Sequence, residues 1–299
     1  MDLGKGEITL SFDDYAGPAY LTLAAGIWGG MYVVSKIVLD VVPPLLLLWL
    51  RYVVALAALL AIGVFSGADW RIRKNHVTLI LSVGLIGYFL SIWAQFVGTK
   101  LSTAQMGAVI TSATPAFMVI FAYFLLREKI TIRKVFSMLL ATIGVLLVVG
   151  VGGTGESFQL GGVILVIAAL SWALMSVLVK RIPPAYSPLV ITTYAIMAAT
   201  LAITPLSYRY FTAEHLSLIF EPTVLLGVLY IGIVATAGAF LFWSKGLQLI
   251  DASRGGIYFF FQPLVGTLLG WLFLGEQVGL GFLVGALLIL SGVFLVIRD

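Results

Sequence analysis

A polar stripe runs through an otherwise apolar stretch of the sequence. Gly84, Tyr88, Ser91, Gln95 and Thr99 follow one another at spacings of four, three, four and four, which places them on one face of a helix. Gln105, Ala108 and Ser112 form a second such set just before Pro115, and Tyr258 and Gln262 stand four apart just before Pro263. Hydroxyls and carboxamides are neutral donors and acceptors. Together they could hold a zwitterionic solute in a cavity; the same groups could equally serve as hydrogen bonds between helices. Catalytic chemistry has little to work with. The chain has no Cys, its two His (His76 and His215) lie in or beside loops and read as surface residues, and none of its 13 acids sits within an apolar stretch. An enzyme needs an acid, base, nucleophile or metal cluster at reachable depth, so no reaction, metal or cofactor is expected. No GxxxxGK[ST] loop appears, which excludes ATP as the driving force.

Other residues stand out against the apolar background. Trp28 and Trp172 fall in the middle of apolar runs, although tryptophan prefers a membrane interface where its N–H meets water. They suggest a wet cavity where aromatic faces meet a solute, or else pivots between packed helices. Arg51 lies about 10 Å into the second run. A charge at that depth is a functional candidate, with pairing to Asp40 or snorkelling outward as structural alternatives. Lys36 and Lys180 end their runs, where a cation complements the negative pole of a helix or could act as a gate. Glu128 and Glu276 stand between consecutive runs, where a carboxylate can accept from the free N–H groups opening the helix that follows. Pro115 and Pro263 interrupt the backbone hydrogen bonds at matching points, so each could be a hinge.

The elements that must position these residues follow from composition. Of 299 residues, 61% are hydrophobic and 10% charged. A soluble surface needs about 25% charge, so the chain belongs in a bilayer. Ten windows are long and apolar enough to cross one, about 17–39, 44–65, 77–97, 104–126, 134–152, 160–179, 187–206, 223–243, 252–273 and 279–297. The runs do not alternate, which argues against a barrel. Residues 1–14 read as a soluble tail, not a signal peptide. Counting windows from the N-terminus, 13 of the 17 Lys and Arg fall on one side, three (Lys36, Lys100, Arg209) on the other, and Arg51 inside a span. Basic residues accumulate in the cytoplasm, so both termini are expected there. The small net charge of +4 is no sign of nucleic-acid binding.

The sequence also repeats itself. Trp28, Lys36 and Pro44 recur 144 residues later as Trp172, Lys180 and Pro188. Gly98, Ala104, Pro115, Glu128 and Gly144 recur 148 later as Gly246, Ala252, Pro263, Glu276 and Gly292. The change of offset fits one longer loop, near 207–222. Residues 1–152 and 153–299 therefore read as two units of five helices. An odd number of crossings inverts the second unit relative to the first, as in alternating-access transporters, with the substrate site between the halves. The expected fold is an all-α integral membrane protein, ten transmembrane helices in two inverted five-helix repeats around a central cavity.

Two five-helix halves, each with Trp then Lys in its first helix and Pro then a terminal Glu in its fourth, resemble the EamA branch of the drug/metabolite transporter superfamily. The residues that carry the likeness are Trp28-Gly29-Gly30 with Lys36, Pro115 with Glu128, Trp172 with Lys180, and Pro263 with Glu276. The pattern is similar to YddG-like bacterial amino-acid exporters. That resemblance implies a cavity lined mainly by helices 1, 3, 4, 6, 8 and 9, with helices 5 and 10 away from it and helix 2 peripheral. It implies export of aromatic and other neutral amino acids by a monomer in contact with membrane lipid. Drug-like or nucleoside-like metabolites are the alternative cargo, since aromatic walls also stack flat rings; a channel or scramblase is a further alternative. The absence of a carboxylate at membrane depth argues for facilitated, downhill export, or for coupling to a gradient through some other group.

Overall fold

The computed structural model describes residues 12–127, 131–151, 155–183, 185–249, 258–259 and 261–297. Among them the regular structure is helical, without strands. The long apolar helices in chain order are α1 (Phe12–Leu39), α2 (Pro44–Phe65), α3 (Lys74–Leu101), α4 (Ala104–Leu126) and α5 (Ile132–Val151). They are followed by α6 (Glu156–Val179), α7 (Pro188–Ser207), α8 (222–249), α9 (Phe261–Leu274) and α10 (Leu280–Ile297). Seven of these, α1 to α4 and α6 to α8, are long and apolar enough to cross a membrane, while α5, α9 and α10 hold shorter apolar stretches. Their outer faces carry exposed Phe65, Leu201, Phe273 and Leu287, which hydrocarbon accepts and water would not. The long α7–α8 connection contains a short helix, Ala213–Ile219, whose start is capped by the Thr212 hydroxyl.

Local sequence sets the helix starts and breaks. α2, α7 and α8 begin with Pro44, Pro188 and Pro222 in their first turns, where a missing N–H costs nothing. Pro115 was expected to kink a continuous helix. Instead α4 is broken: it runs Ala104–Thr111, turns at 112–113 and resumes as Thr114–Leu126, with Pro115 in the new first turn. Pro263 likewise stands third in α9 rather than inside it. Both prolines thus sit where the helix needs no donor. α3 and α8 each widen into π-helix, at Gly84–Ser91 and Tyr230–Gly238; such turns favour functional sites.

The packing repeats with the sequence. α1 lies against α8 and α9, as α6 lies against α3 and α4; α2 meets α8 as α7 meets α3; and α2–α7, α4–α9 and α5–α10 pair across the halves. The likeness reaches single residues. A Cβ placed on Gly98 would stand 2.6 Å from the Leu165 side chain and 2.8 Å from the Gly161 carbonyl. One placed on Gly246 would meet Leu21 at 2.5 Å and the Gly17 carbonyl at 3.2 Å. Leu21 and Leu165, and Gly17 and Gly161, are each 144 residues apart. α1 also presses on α9 at Gly29, where a Cβ would meet the Gln262 carbonyl at 2.7 Å. Small residues at these crossings let backbones approach where lipid supplies no hydrophobic drive.

Candidate functional site: a cavity between the halves

The middle of the bundle holds a cavity bounded by Trp28, Met31 and Tyr32 from α1, Arg51 from α2, Ser91, Ile92 and Gln95 from α3, and Thr111 and Thr114 at the α4 break. Ala168 and Trp172 from α6, Phe240 from α8, Phe259, and Gln262 from α9 complete it. The cavity is narrow in this state: about 40 Å³ of it can take the centre of a water molecule, within about 460 Å³ of empty space that includes the open mouth. Among the described residues, none from α5 or α10 lines it. α2, expected to be peripheral, contributes Arg51.

Aromatic rings form much of the wall. Phe240 lies 5.5 Å from Trp28 and 5.8 Å from Trp172, ring centre to ring centre, and Phe259 lies 6.0 Å from Trp28. The Trp28 indole donates to the Ala235 carbonyl in the π-helical part of α8 at 3.0 Å, which satisfies its one polar atom. The polar side of the wall is mostly spoken for. Ser91 donates to the Ala168 carbonyl at 2.8 Å, and Thr111 donates to the Gly107 carbonyl at 2.7 Å while pairing with the Tyr32 phenol. Two groups are not spoken for: Arg51 Nη1 and Gln95 Nε2 are buried without a hydrogen-bond partner.

Of the residues expected in a cavity, Trp28, Ser91, Gln95, Trp172 and Gln262 are brought together here, with Arg51. Tyr88 stands behind the wall, its ring edge-on to Trp172 and Phe240 and its carbonyl accepting from the Tyr52 phenol. Tyr258 stacks on Phe261 at 6.4 Å, and its neighbour Phe259 takes the wall position. Ser112 is buried and donates to the Val109 carbonyl, a bond within its own helix. Gln105 lies at one end of the bundle: its backbone N–H donates to Glu276 Oε2 at 2.9 Å and its side-chain amide to the Glu276 carbonyl at 3.3 Å. Phe240, Tyr32, Thr111 and Thr114 were not anticipated. Thr111, the last residue of the first segment of α4, and Thr114, the first of the second, meet the cavity in place of Ser112.

The charged residues sit differently from expectation. Lys36 stands in the last turn of α1, as expected, but its hydrogen bonds go to another helix. Its ammonium donates to the carbonyls of Thr99, Lys100 and Ser102, at 3.0, 2.8 and 2.7 Å, and so closes the end of α3. Glu276 does not serve the helix that follows it. It accepts from the Ala104 and Gln105 N–H groups, at 2.7 and 2.9 Å, and caps the start of α4 in the other half. Burial pushes its carboxyl above the usual carboxylate value, while those two N–H bonds and the nearby Lys36 charge pull the other way. Lys180 is exposed at the end of α6, and Glu128 lies outside the described residues. His76 is less free than a surface residue, with Nδ1 2.8 Å from the Tyr186 phenol.

A mid-bundle cavity built by both halves, with no metal-binding cluster among the described residues, suits binding and passage rather than reaction. Comparison with known proteins agrees. An uncharacterised transporter of Bacillus subtilis, YetK, is 29% identical over 93% of this chain and 86% of its own. A probable amino-acid metabolite efflux pump of Salmonella typhimurium is 27% identical over 91% of this chain and 92% of its own. A solved crystal structure superimposes with a TM-score of 0.67 at 20% identity, over 94% of this chain and 96% of that one, which speaks for the fold. Residues 16–150 and 159–298 each match one family. The chain belongs to the EamA-like transporter family, and is a multi-span membrane transporter rather than an enzyme.

Proposed function

We propose that the chain exports amino acids, aromatic and other neutral ones, across the inner (plasma) membrane of a bacterium. Residues 1–152 and 153–299 are the two inverted five-helix units of ten crossings, both termini face the cytoplasm, and the working form is a monomer in lipid. The observation that carries this reading is the cavity itself, walled by Trp28, Trp172, Phe240 and Phe259 and edged by Ser91, Gln95 and Gln262. Such a lining suits a solute with one apolar end and one polar end. The amino-acid relative from Salmonella supports the cargo class.

Transport proceeds by alternating access. The end closed by Lys36 and Glu276 is then the extracytoplasmic one, and the structure is the state open toward the cytoplasm. The matched packing of α1–α8 with α6–α3 supports a motion in which the halves exchange roles, with Lys180 closing the other end. Because no carboxylate among the described residues lines the cavity, export runs down the solute gradient. Counterflow in proteoliposomes with a panel of amino acids tests the reading: saturable exchange of phenylalanine and other neutral amino acids, indifferent to an imposed pH gradient, is expected. Failure of every amino acid to exchange would remove the cargo assignment, and exchange of nucleosides or drug-like cations in their place would replace it.

A further inference from the structure

Arg51 is 1% exposed and Gln95 6%, and both line the central cavity. The guanidinium is fixed from three sides. Nε donates to the Thr236 hydroxyl at 2.6 Å, and that hydroxyl donates onward to the Ile231 carbonyl at 2.7 Å. The guanidinium carbon lies 5.6 Å from the centre of the Phe96 ring and 5.8 Å from that of Tyr52. None of these neighbours is an anion, and among the described residues no Asp or Glu lines the cavity. An arginine stays charged, and a desolvated charge without a counter-ion is costly. Its Nη1 is without a hydrogen-bond partner, as is Gln95 Nε2 in the same wall. A guanidinium with one free N–H-bearing nitrogen, in the same cavity wall as a free amide donor, can be answered by a carboxylate.

We propose that Arg51 and Gln95 form the subsite for the carboxylate of the transported solute, with Thr236 holding Arg51 in place and the aromatic wall taking the apolar body. This deepens the export reading and rests on it for the identity of the cargo. It also goes further. Because the described wall residues offer no carboxylate to an ammonium group, the amine of an amino acid is dispensable, and the site accepts an aryl-substituted monocarboxylate as well.

The test is binding to the purified full chain in nanodiscs, with phenylalanine, 3-phenylpropanoate (which lacks the amine) and 2-phenylethylamine (which lacks the carboxylate). The two carboxylates should bind with affinities within several-fold of each other, and phenylethylamine should be weaker by about 30-fold or more. Arg51→Gln should weaken both carboxylates by a similar factor and leave the amine unchanged. Should Arg51→Gln misfold, Gln95→Leu and the ligand comparison on the unaltered chain carry the test. Phenylethylamine binding as tightly as phenylalanine, or no carboxylate binding at all, would overturn the subsite. If amino-acid counterflow is seen while the amine binds equally well, the subsite falls and the export reading stands. Arg51-dependent binding of 3-phenylpropanoate with no amino-acid exchange would leave the subsite standing and remove the amino-acid reading.

Discussion

The Lys36 ammonium donates to the Ser102 carbonyl across 2.7 Å, joining the end of α1 to the turn between α3 and α4. Two more carbonyls, of Thr99 and Lys100, share the same charge. The last carbonyls of a helix lack partners within it, so one side chain satisfies what α3 leaves open. Hydrogen bonds to a charged group are worth about 1.5–3 kcal/mol each. Lys36→Met should therefore loosen this end: amide hydrogen exchange over 102–105 should rise by about tenfold or more. Lys180→Met, at an exposed residue, should leave that segment unchanged. Equal exchange in Lys36→Met and the unaltered chain would show that the contact does not hold the closure.

Glu276 should make stability depend on pH. Burial raises its carboxyl above 4.5 in the folded chain, so the folded state binds that proton more readily than the unfolded one. The sign follows from linkage: stability gained from this residue appears as pH falls from the raised value toward 4.5, and is lost as pH rises through that window. Glu276→Gln has no such slope. Melting temperatures of the two chains across pH 4–8 should thus differ in pH dependence, with the unaltered chain gaining on the variant toward acid. Parallel curves would show that the carboxyl keeps an ordinary affinity for its proton.

The glycine crossings give a stability test with an internal control. A Cβ on Gly98 or Gly246 would intrude on a leucine at 2.6 or 2.5 Å, whereas one on Gly26 would meet nothing within 4 Å. Gly98→Ala and Gly246→Ala should each cost about 1–3 kcal/mol through overpacking. Gly26→Ala, in a helix interior, should be neutral or slightly stabilising. A thermal shift for Gly26→Ala as large as for Gly98→Ala would contradict the assigned packing.

Much of the architecture was legible because a bilayer imposes one rule, a long apolar helix for each crossing, and because the chain states its pattern twice. The repeat even anticipates backbone detail. Arg127 and Gly275, 148 residues apart, both adopt left-handed backbone, at φ 56° and 65°. Trp28 and Trp172 were legible because a polar-edged aromatic in mid-span needs a reason. The polar stripes were less so. A spacing of three or four names a face but not what it faces; α3 widens into a π-helical turn at Gly84–Ser91, and the first segment of α4 ends at Thr111. Ser91 and Gln95 reach the cavity while Tyr88 and Ser112 do not. Gln105, Lys36 and Glu276 find partners on helices distant in sequence, which no local pattern reports. In the sequence Arg51 stays open between a functional and a structural reading, with helix 2 expected at the periphery; α2 instead turns this residue inward, and its repeat counterpart Ala195 carries no charge to point to it.

The chain has no cysteine, so single cysteines can be placed without altering the background. Ser91→Cys, in the cavity wall, offers the most direct test of the central claim that one site faces each side of the membrane in turn. In sealed membrane vesicles of either orientation, a membrane-impermeant maleimide should label this cysteine from both sides, and bound phenylalanine should slow the labelling from each. Labelling from one side alone, or from neither, would contradict alternating access through this cavity.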